Sequence, residues 1–183
     1  MAASLGRAFV KFEDPSAGVS FGLVPCTAGR VVWFLQVDAA RHPTEGADPG
    51  QFARDLVGGW AAPVDDVLDR TDFSKAYWWR TGDMDPLPAL AAQNLALLGD
   101  AAHPFLPFTS QGVAHALCDA VTLGDCLAVT PGDIRGALTR YLALRLPEVT
   151  ETLHQGRRIR DHFLDATRVD AGATLPLALV PHP

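Results

Sequence analysis

The stretch LALLGDAAHPFLPFTSQG, Leu95 to Gly112, limits the possible folds of this chain more than any other. An apolar run stops at a Gly-Asp pair, passes into a loop of proline, aromatics and small polar residues, and meets a helix-forming run at Gly112. Residues 94–98 read as a continuous strand buried on both faces. Residues 112–128 read as a helix with Gly112, Ala116, Ala120 and Gly124 at every fourth position, so that one face can approach a sheet or another helix closely. A buried strand, a Gly-Asp pair, a turn and a helix start together form the layout of a ligand crevice at the carboxyl edge of an α/β sheet. There the Asp100 carboxylate can accept hydrogen bonds from sugar or polyol hydroxyls, and Gly99 lets the backbone come close. Gln111, Gly112 and Val113 offer unpaired N–H groups at the positive end of a helix dipole. The alternative is that Asp100 only caps the turn and the glycines only serve packing.

Upstream, RAFVKF, VSFGLVP and VVWFLQV are short extended runs separated by Asp14-Pro15, Ala17-Gly18 and Ala28-Gly29, which predicts a three-stranded antiparallel meander. Asp48-Pro49-Gly50-Gln51 combines an N-cap residue, a proline at the first helical position and a Gln three residues on, with Phe52, Leu56 and Trp60 at helical spacing behind it. A second short helix is expected over residues 64–68, and AYWWRTG reads as one more strand before Asp83-Met84-Asp85-Pro86. Downstream, Thr130-Pro131-Gly132-Asp133 starts a helix in the same capped way. Ile134, Leu138, Tyr141, Leu142, Leu146, Val149 and Leu153 give that helix an apolar face as far as about Phe163, and Pro147 is a point of kinking.

Composition removes several classes. Lys and Arg total 15 against 21 Asp and Glu, a formal charge of −6, so nothing favours nucleic acid or an anionic membrane surface as partner. At 183 residues and 48% hydrophobic, the chain can bury one sizeable core or two small ones. MAASLGRAFVKF lacks the apolar core of a signal peptide, and no uninterrupted apolar run approaches the roughly 18 residues that span a bilayer. A cytoplasmic location is the expectation. Cys26, Cys118 and Cys126 are odd in number and lack C-x-x-C spacing, against a disulfide framework or a zinc knuckle; they read as buried small hydrophobes. His103 and His115, with Asp100 and Asp119 nearby, suggest a metal, but no ligand pair has the helical spacing of a histidine motif, so no metal is assigned and His103 reads as a structural hydrogen-bonder. Arg157, Arg158 and Arg160 read as a solvated face or one that meets an acidic partner. Without a G-x-S-x-G elbow around Ser110, hydrolysis is discounted.

LLGDAAHPFLPFTSQGVAHALCDAVTL resembles the second flavin-binding motif of the class A flavoprotein monooxygenases, the aromatic hydroxylases related to para-hydroxybenzoate hydroxylase, whose pattern runs roughly GDAAHxxxPxxGQGxNxxxEDA. FGLVPCTAGRVVWFLQV resembles the middle-domain strands of that family, DMDPLPALAAQNLALLGDAAH its approach to the motif, and RYLALRLPEVTETLHQGRRIRDHF its long carboxy-terminal helix. The resemblance implies FAD as cofactor: Gly99 and Asp100 at the ribityl chain, Pro107 beside the isoalloxazine ring, and the amides of Gly112 and Val113 at its pyrimidine edge. It also implies NADH or NADPH as reductant, with reduced flavin using oxygen to hydroxylate an electron-rich small molecule while the protein supplies position, dryness and electrostatics.

Three positions depart from the pattern. Ser110 replaces the first glycine of GQG, where it can act as N-cap of the next helix; Ala114 stands where Asn is usual, and Cys118 where Glu is usual. No two glycines are spaced G-x-G, and the Asp-Gly motif that meets the same pyrophosphate is missing, so the chain resembles the back half of a hydroxylase. Three explanations stay open: another polypeptide supplies the front half, the sequence is a piece of a longer chain, or the scaffold is reused without tightly bound FAD.

The expected fold is α+β. Residues 1–92 form a partial antiparallel-sheet substrate domain, 93–170 the carboxy-terminal portion of a flavin-binding domain with a long final helix, and 171–183 an apolar, proline-containing tail, with the G-x-G-x-x-G half absent. The leading function is FAD-dependent hydroxylation of an aromatic or polyketide-like substrate, FAD being weakly held or shared with a partner. Phe21, Trp33 and Trp79 are candidate walls of the substrate cavity, with plain core packing as the alternative, and no catalytic acid or base is assigned. The competing function is a flavin-independent binding module or cyclase that favours one reactive conformation by shape. Either a homodimer or a complementary flavoprotein half is the expected macromolecular partner, because bare strand edges and a small-residue helix face tolerate exposure poorly.

Overall fold

The computed structural model describes residues 8–26, 29–165 and 167; the tail assigned to 171–183 lies outside them. The chain divides into two compact units, residues 1–79 with 163–166 and residues 80–162 with 167–183, and each has a hydrophobic core of its own.

The first unit contains the expected meander. β1 (Val10–Asp14), β2 (Val19–Pro25) and β3 (Val31–Val37) pair antiparallel in that order, with Phe12 opposite Phe21 and Phe21 opposite Leu35. The turn after β1 is closed by Asp14, whose carboxylate accepts from the Ala17 amide and the Ser16 hydroxyl. β2 is central and buried from Val19 through Leu23. On one face Phe21 and Leu23 join Val19, Ala53, Val57, Val64 and Leu68 in the core, each large side chain contributing about 1.5–3 kcal/mol relative to exposure. On the other, Gly22 leaves room for the ring of Phe34, which a Cβ would meet at 2.3 Å.

α1 (Pro49–Val57) and α2 (Ala62–Arg70) cover the sheet. Asp48 is the N-cap of α1 as expected, accepting from the Gln51 amide at 2.8 Å, but the Gln51 side chain donates forward to Asp55 instead of closing a capping box. Gly50, Ala53 and Val57 are its fully buried residues, while Leu56 and Trp60 are half-buried against the same core. Gly50 sits so close to the Phe73 ring that a Cβ would lie 3.1 Å from it, and these small residues let the helix settle close to its neighbours. Asp48→Ala is expected to cost about 1 kcal/mol, read as a lowered urea midpoint. The AYWWRTG segment is not a strand. Residues 76–82 have no ladder partner among the described residues, and apolar, β-favouring side chains do not make a strand without one.

In the second unit, Ala91–Ala92 (β4) and Leu95–Ala96 (β5) form a two-stranded hairpin turned at Gln93, φ 56°. The expected strand over 94–98 is therefore much shorter, and Leu95 is exposed. β5 has no partner but β4 among the described residues, so one face goes uncovered. Two helices make the body of the unit: α3 (Gly112–Val129) and α4 (Ile134–Leu164), which runs through Pro147. Asp133 caps α4, accepting from the Gly136 amide at 2.8 Å, while Thr130 closes α3 by donating to the Cys126 carbonyl. The expected cap thus moves three residues on. Ile134 is exposed; Ala137, Leu138, Tyr141, Val149 and Leu153 carry the buried face. The core joins Leu90, Ala102, Cys126, Ala137, Tyr141 and Val149, and the Tyr141 hydroxyl donates to the Leu97 carbonyl. Burial, with Asp119 nearby, pushes the Tyr141 phenol up to about 12.

Residues 80–92 belong to this unit because Arg157 on α4 donates to Asp83 at 2.5 Å, to Asp85 at 2.9 Å and to the Met84 carbonyl at 2.9 Å. All three arginines meet acidic groups of their own chain, Arg158 pairing with Glu151 and Arg160 with Asp161. The division between units falls at Trp79, earlier than the expected 92. Only Cys126 of the cysteines is buried; Cys26 and Cys118 are exposed. The small-residue stripe of α3 is also less covered than expected: Ala116 is half-buried, whereas Ala120 and Gly124 are exposed. By length and composition α3 could cross a membrane, yet it carries the buried Asp119, bound to the preceding loop and to α4, as in a globular unit.

Candidate functional site

The loop from Gly99 to Val113 is built from two single turns of 3-10 helix, Gly99–Ala101 and Pro107–Thr109. Gly99 has φ 54°, and a Cβ on it would stand 3.1 Å from that of Ala116. Only glycine lets this turn lie so tightly on α3. The second turn rests on α4 in a similar way, with Leu106 and Thr109 against Gly156, where a Cβ would sit at 3.7 and 3.6 Å from them. The loop is thereby seated on both helices.

Asp100 projects from the first turn as an exposed carboxylate with no side-chain hydrogen bond among the described residues. That removes the reading in which it caps the turn. Pro107 is half-buried at the start of the second turn. Ser110 is not the N-cap: it adopts φ 54°, donates weakly to the Pro107 carbonyl at 3.4 Å, and leaves Gln111 in the cap position without a side-chain cap bond. The first-turn amides at Gly112 and Val113 therefore lack a side-chain acceptor. No acidic residue lies in that turn, and Val113 is exposed. An unpaired carboxylate and an uncapped helix N-terminus on one loop can take a hydroxyl-bearing donor and an electron-rich carbonyl, respectively.

Phe21 and Trp33 stack on each other at 5.2 Å between ring centroids. Phe21 is 0% exposed, and the Trp33 indole donates to Thr71 at 2.9 Å, so both are core residues. Trp79 is 70% exposed and stands outside that stack. The structure thus does not assemble the three into one wall.

Behind the loop lies a buried polar network; the sequence offers His103, His115 and Asp119 only as a discounted metal site and singles out nothing at Arg145. Asp119, 0% exposed, accepts from the Gly99 amide at 2.9 Å and from His103 Nε2 at 2.6 Å through one oxygen, and from Arg145 Nε at 2.8 Å through the other. Burial pushes the Asp119 carboxyl up, but these three donors outweigh it and hold it below the usual carboxylate range. Arg145, 4% exposed, also donates to His115 Nδ1 at 2.8 Å and pairs with Glu148. His103 is the structural hydrogen-bonder expected, with its Nδ1 buried and unpartnered among the described residues. The bonds that Asp119 and His115 accept in this network span 16 to 30 positions of sequence, and the available signal was chemical: an arginine on the otherwise apolar face of α4. Among the described residues no group of three or more His, Cys, Asp or Glu is arranged to hold a metal ion.

No family model matches the chain. Over 139 residues it is 36% identical to 3-amino-4-hydroxybenzoate 2-monooxygenase of Streptomyces cremeus, covering 76% of this chain and 34% of that protein. Over 147 residues it is 32% identical to aurachin C monooxygenase/isomerase of Stigmatella aurantiaca, covering 80% of this chain and 38% of that one. The fold matches that of Klebsiella pneumoniae HpxO, solved with FAD and uric acid, at a TM-score of 0.78 and 28% identity, over 90% of this chain and 42% of that one. Over most of its length the chain is thus similar to part of the flavoprotein monooxygenases. More narrowly, its homologues are FAD-dependent aromatic hydroxylases, and it spans about a third to two fifths of the length of the Streptomyces and Stigmatella enzymes.

Proposed function

We propose that this chain forms the flavin-ring side of an FAD-dependent monooxygenase that hydroxylates an aromatic or polyketide-like small molecule. The observation that carries the reading is the unpaired Asp100 carboxylate on a loop clamped beside an uncapped helix start, in a chain whose relatives are named monooxygenases. Asp100 would accept hydrogen bonds from ribityl hydroxyls, Pro107 would lie against the ring, and the Gly112 and Val113 amides would face the electron-rich pyrimidine edge. The residues present fit this end of the cofactor. They do not fit its pyrophosphate, since the sequence offers no G-x-G turn.

FAD held here and reduced by NADH or NADPH would supply the oxygen chemistry, and Asp100, Pro107 and the Gly112 and Val113 amides would orient it. Trp79 remains the one exposed aromatic of the three wall candidates. A complementary flavoprotein segment carrying the pyrophosphate site completes the enzyme in this reading. The names of the relatives give no support to the flavin-free alternative.

The test is the flavin content of the chain purified alone and of the chain mixed with a segment bearing a G-x-G-x-x-G turn. Little FAD should survive gel filtration in the first sample, and yellow flavin with hydroxylation of an aromatic acid should follow in the second. Aromatic hydroxylation or cyclisation by the flavin-free chain without oxygen would overturn the reading.

A further inference from the structure

One guanidinium reaches both ends of the candidate loop. Through Asp119, Arg145 is joined to the Gly99 amide and His103 at the start of the loop; directly, it donates to His115 in the first turn of α3. We propose that Arg145 is a positioning residue that sets Asp100 relative to the Gly112 and Val113 amides, and that it holds this setting only while His115 is neutral. The proposal rests on the flavin reading for its purpose but on the network alone for its geometry.

The proton assignment follows from the donors. A guanidinium only donates, so His115 Nδ1 accepts and the ring proton sits on Nε2, which faces Gln111 Oε1 at 3.2 Å and Thr152 Oγ1 at 3.1 Å. A second proton would go on Nδ1, turning the acceptor into a donor aimed at another donor and placing two cations together in a half-buried site. The charged and titratable groups around His115 are Arg145 and Glu148 on α4, His103 on the loop and Asp119 on its own helix. Burial first, then Arg145 and His103, hold the His115 pKa below its ordinary 6.5 against the opposite pull of Glu148 and Asp119. Acidification through the folded value of His115, below 6.5, therefore releases the first turn of α3 from Arg145. Beyond this bond, the guanidinium meets that turn only through a long contact to the His115 carbonyl at 3.5 Å among the described residues.

The experiment uses the full chain as wild type, His115→Asn, whose Oδ1 can stand in for Nδ1 but cannot titrate, and Arg145→Lys, which cannot span Asp119 and His115 together. Amide hydrogen exchange of residues 99 and 115, whose N–H groups donate to Asp119 and to the Gln111 carbonyl, is corrected for intrinsic rate and followed from about pH 8 to about pH 4.5, alongside a fluorescence titration with riboflavin, which carries the ring and ribityl chain but no pyrophosphate. In wild type, protection at the His115 amide and riboflavin affinity should both fall about tenfold on acidification, the worth of one strong hydrogen bond, with Gly99 changing less. His115→Asn should hold both nearly constant. Arg145→Lys should show the loss already at pH 8. A wild-type pH profile in His115→Asn, or unaltered exchange in Arg145→Lys, overturns the proposal. Failure of riboflavin to bind wild type at any pH counts against the flavin reading alone, because the exchange profile still decides whether Arg145 positions the loop.

Discussion

Asp119→Ala is expected to destabilise the second unit by about 3–5 kcal/mol, the range seen when one partner of a buried charge pair is removed. The carboxylate has no exposure and satisfies three donors from three parts of the chain: Gly99, His103 and Arg145. Without it, His103 loses the one hydrogen bond its ring makes, its Nδ1 already lacking a partner. Arg145 keeps only Glu148 to balance its charge, and that glutamate is 62% exposed. Against a typical total of about 5–15 kcal/mol, such a loss leaves a substantial unfolded fraction. Asp119→Asn should cost less, since it keeps the shape but turns an NH2 towards one of the donors.

The pH dependence has a definite sign. The folded pKa of Asp119 lies below its ordinary 3.8, so its contribution is present above that value and disappears as pH falls through the folded pKa. For His115, the folded pKa lies below 6.5; the unfolded chain therefore binds the proton first, and stability drops as pH falls from 6.5 towards the folded value. Urea unfolding at about pH 8, 6, 4 and 2.5 should show both steps in wild type and lose the lower one in Asp119→Ala. A cost below about 1 kcal/mol would mean that the network is far weaker than its geometry implies.

Asp100→Ala should do the reverse, leaving the fold intact and removing function. Its carboxylate is exposed and makes no side-chain hydrogen bond among the described residues, so the stability change should stay within about 0.5 kcal/mol. If it receives ribityl hydroxyls, two charge-assisted bonds at about 1.5–3 kcal/mol each are lost. Flavin affinity, measured with the complementary segment present, should then fall by about a hundredfold or more, with turnover falling alongside. Equal affinity and turnover in wild type and variant would remove Asp100 from the site. The pair of variants separates roles nineteen positions apart in sequence: Asp119 holds the loop and Asp100 uses it.

How much of this was legible in the sequence varies by residue for physical reasons. The meander could be read because Asp14-Pro15 and Ala17-Gly18 break runs of β-favouring residues, and a hairpin of that length settles its own pairing. Asp48 could be read as a cap because an Asp-Pro start with a free amide three residues on is a local arrangement. Gly99 and Asp100 could be placed in a turn before α3 on equally local grounds. Where a partner was needed, the same reasoning failed. AYWWRTG has strand-forming side chains, yet residues 76–82 lack a neighbouring strand among the described residues. Residues 94–98 are apolar enough for a buried strand, yet Leu95 is exposed. Ser110 has the chemistry of a cap, but its left-handed backbone passes that position to Gln111.

The sequence by itself determined much of the local backbone: where the chain turns, where α1 starts, and which loop puts Gly99 and Asp100 ahead of a helix. These outcomes depend on contacts within a few residues, and composition at that range is sufficient to encode them. Only the tertiary structure decided that Asp119, His103, His115 and Arg145 act as one unit, because a buried ion pair costs desolvation unless all its donors and acceptors are brought together at once. Which arginine on α4 meets that condition depends on the packing of the helices and the loop around it, and so on residues as distant in sequence as Gly99.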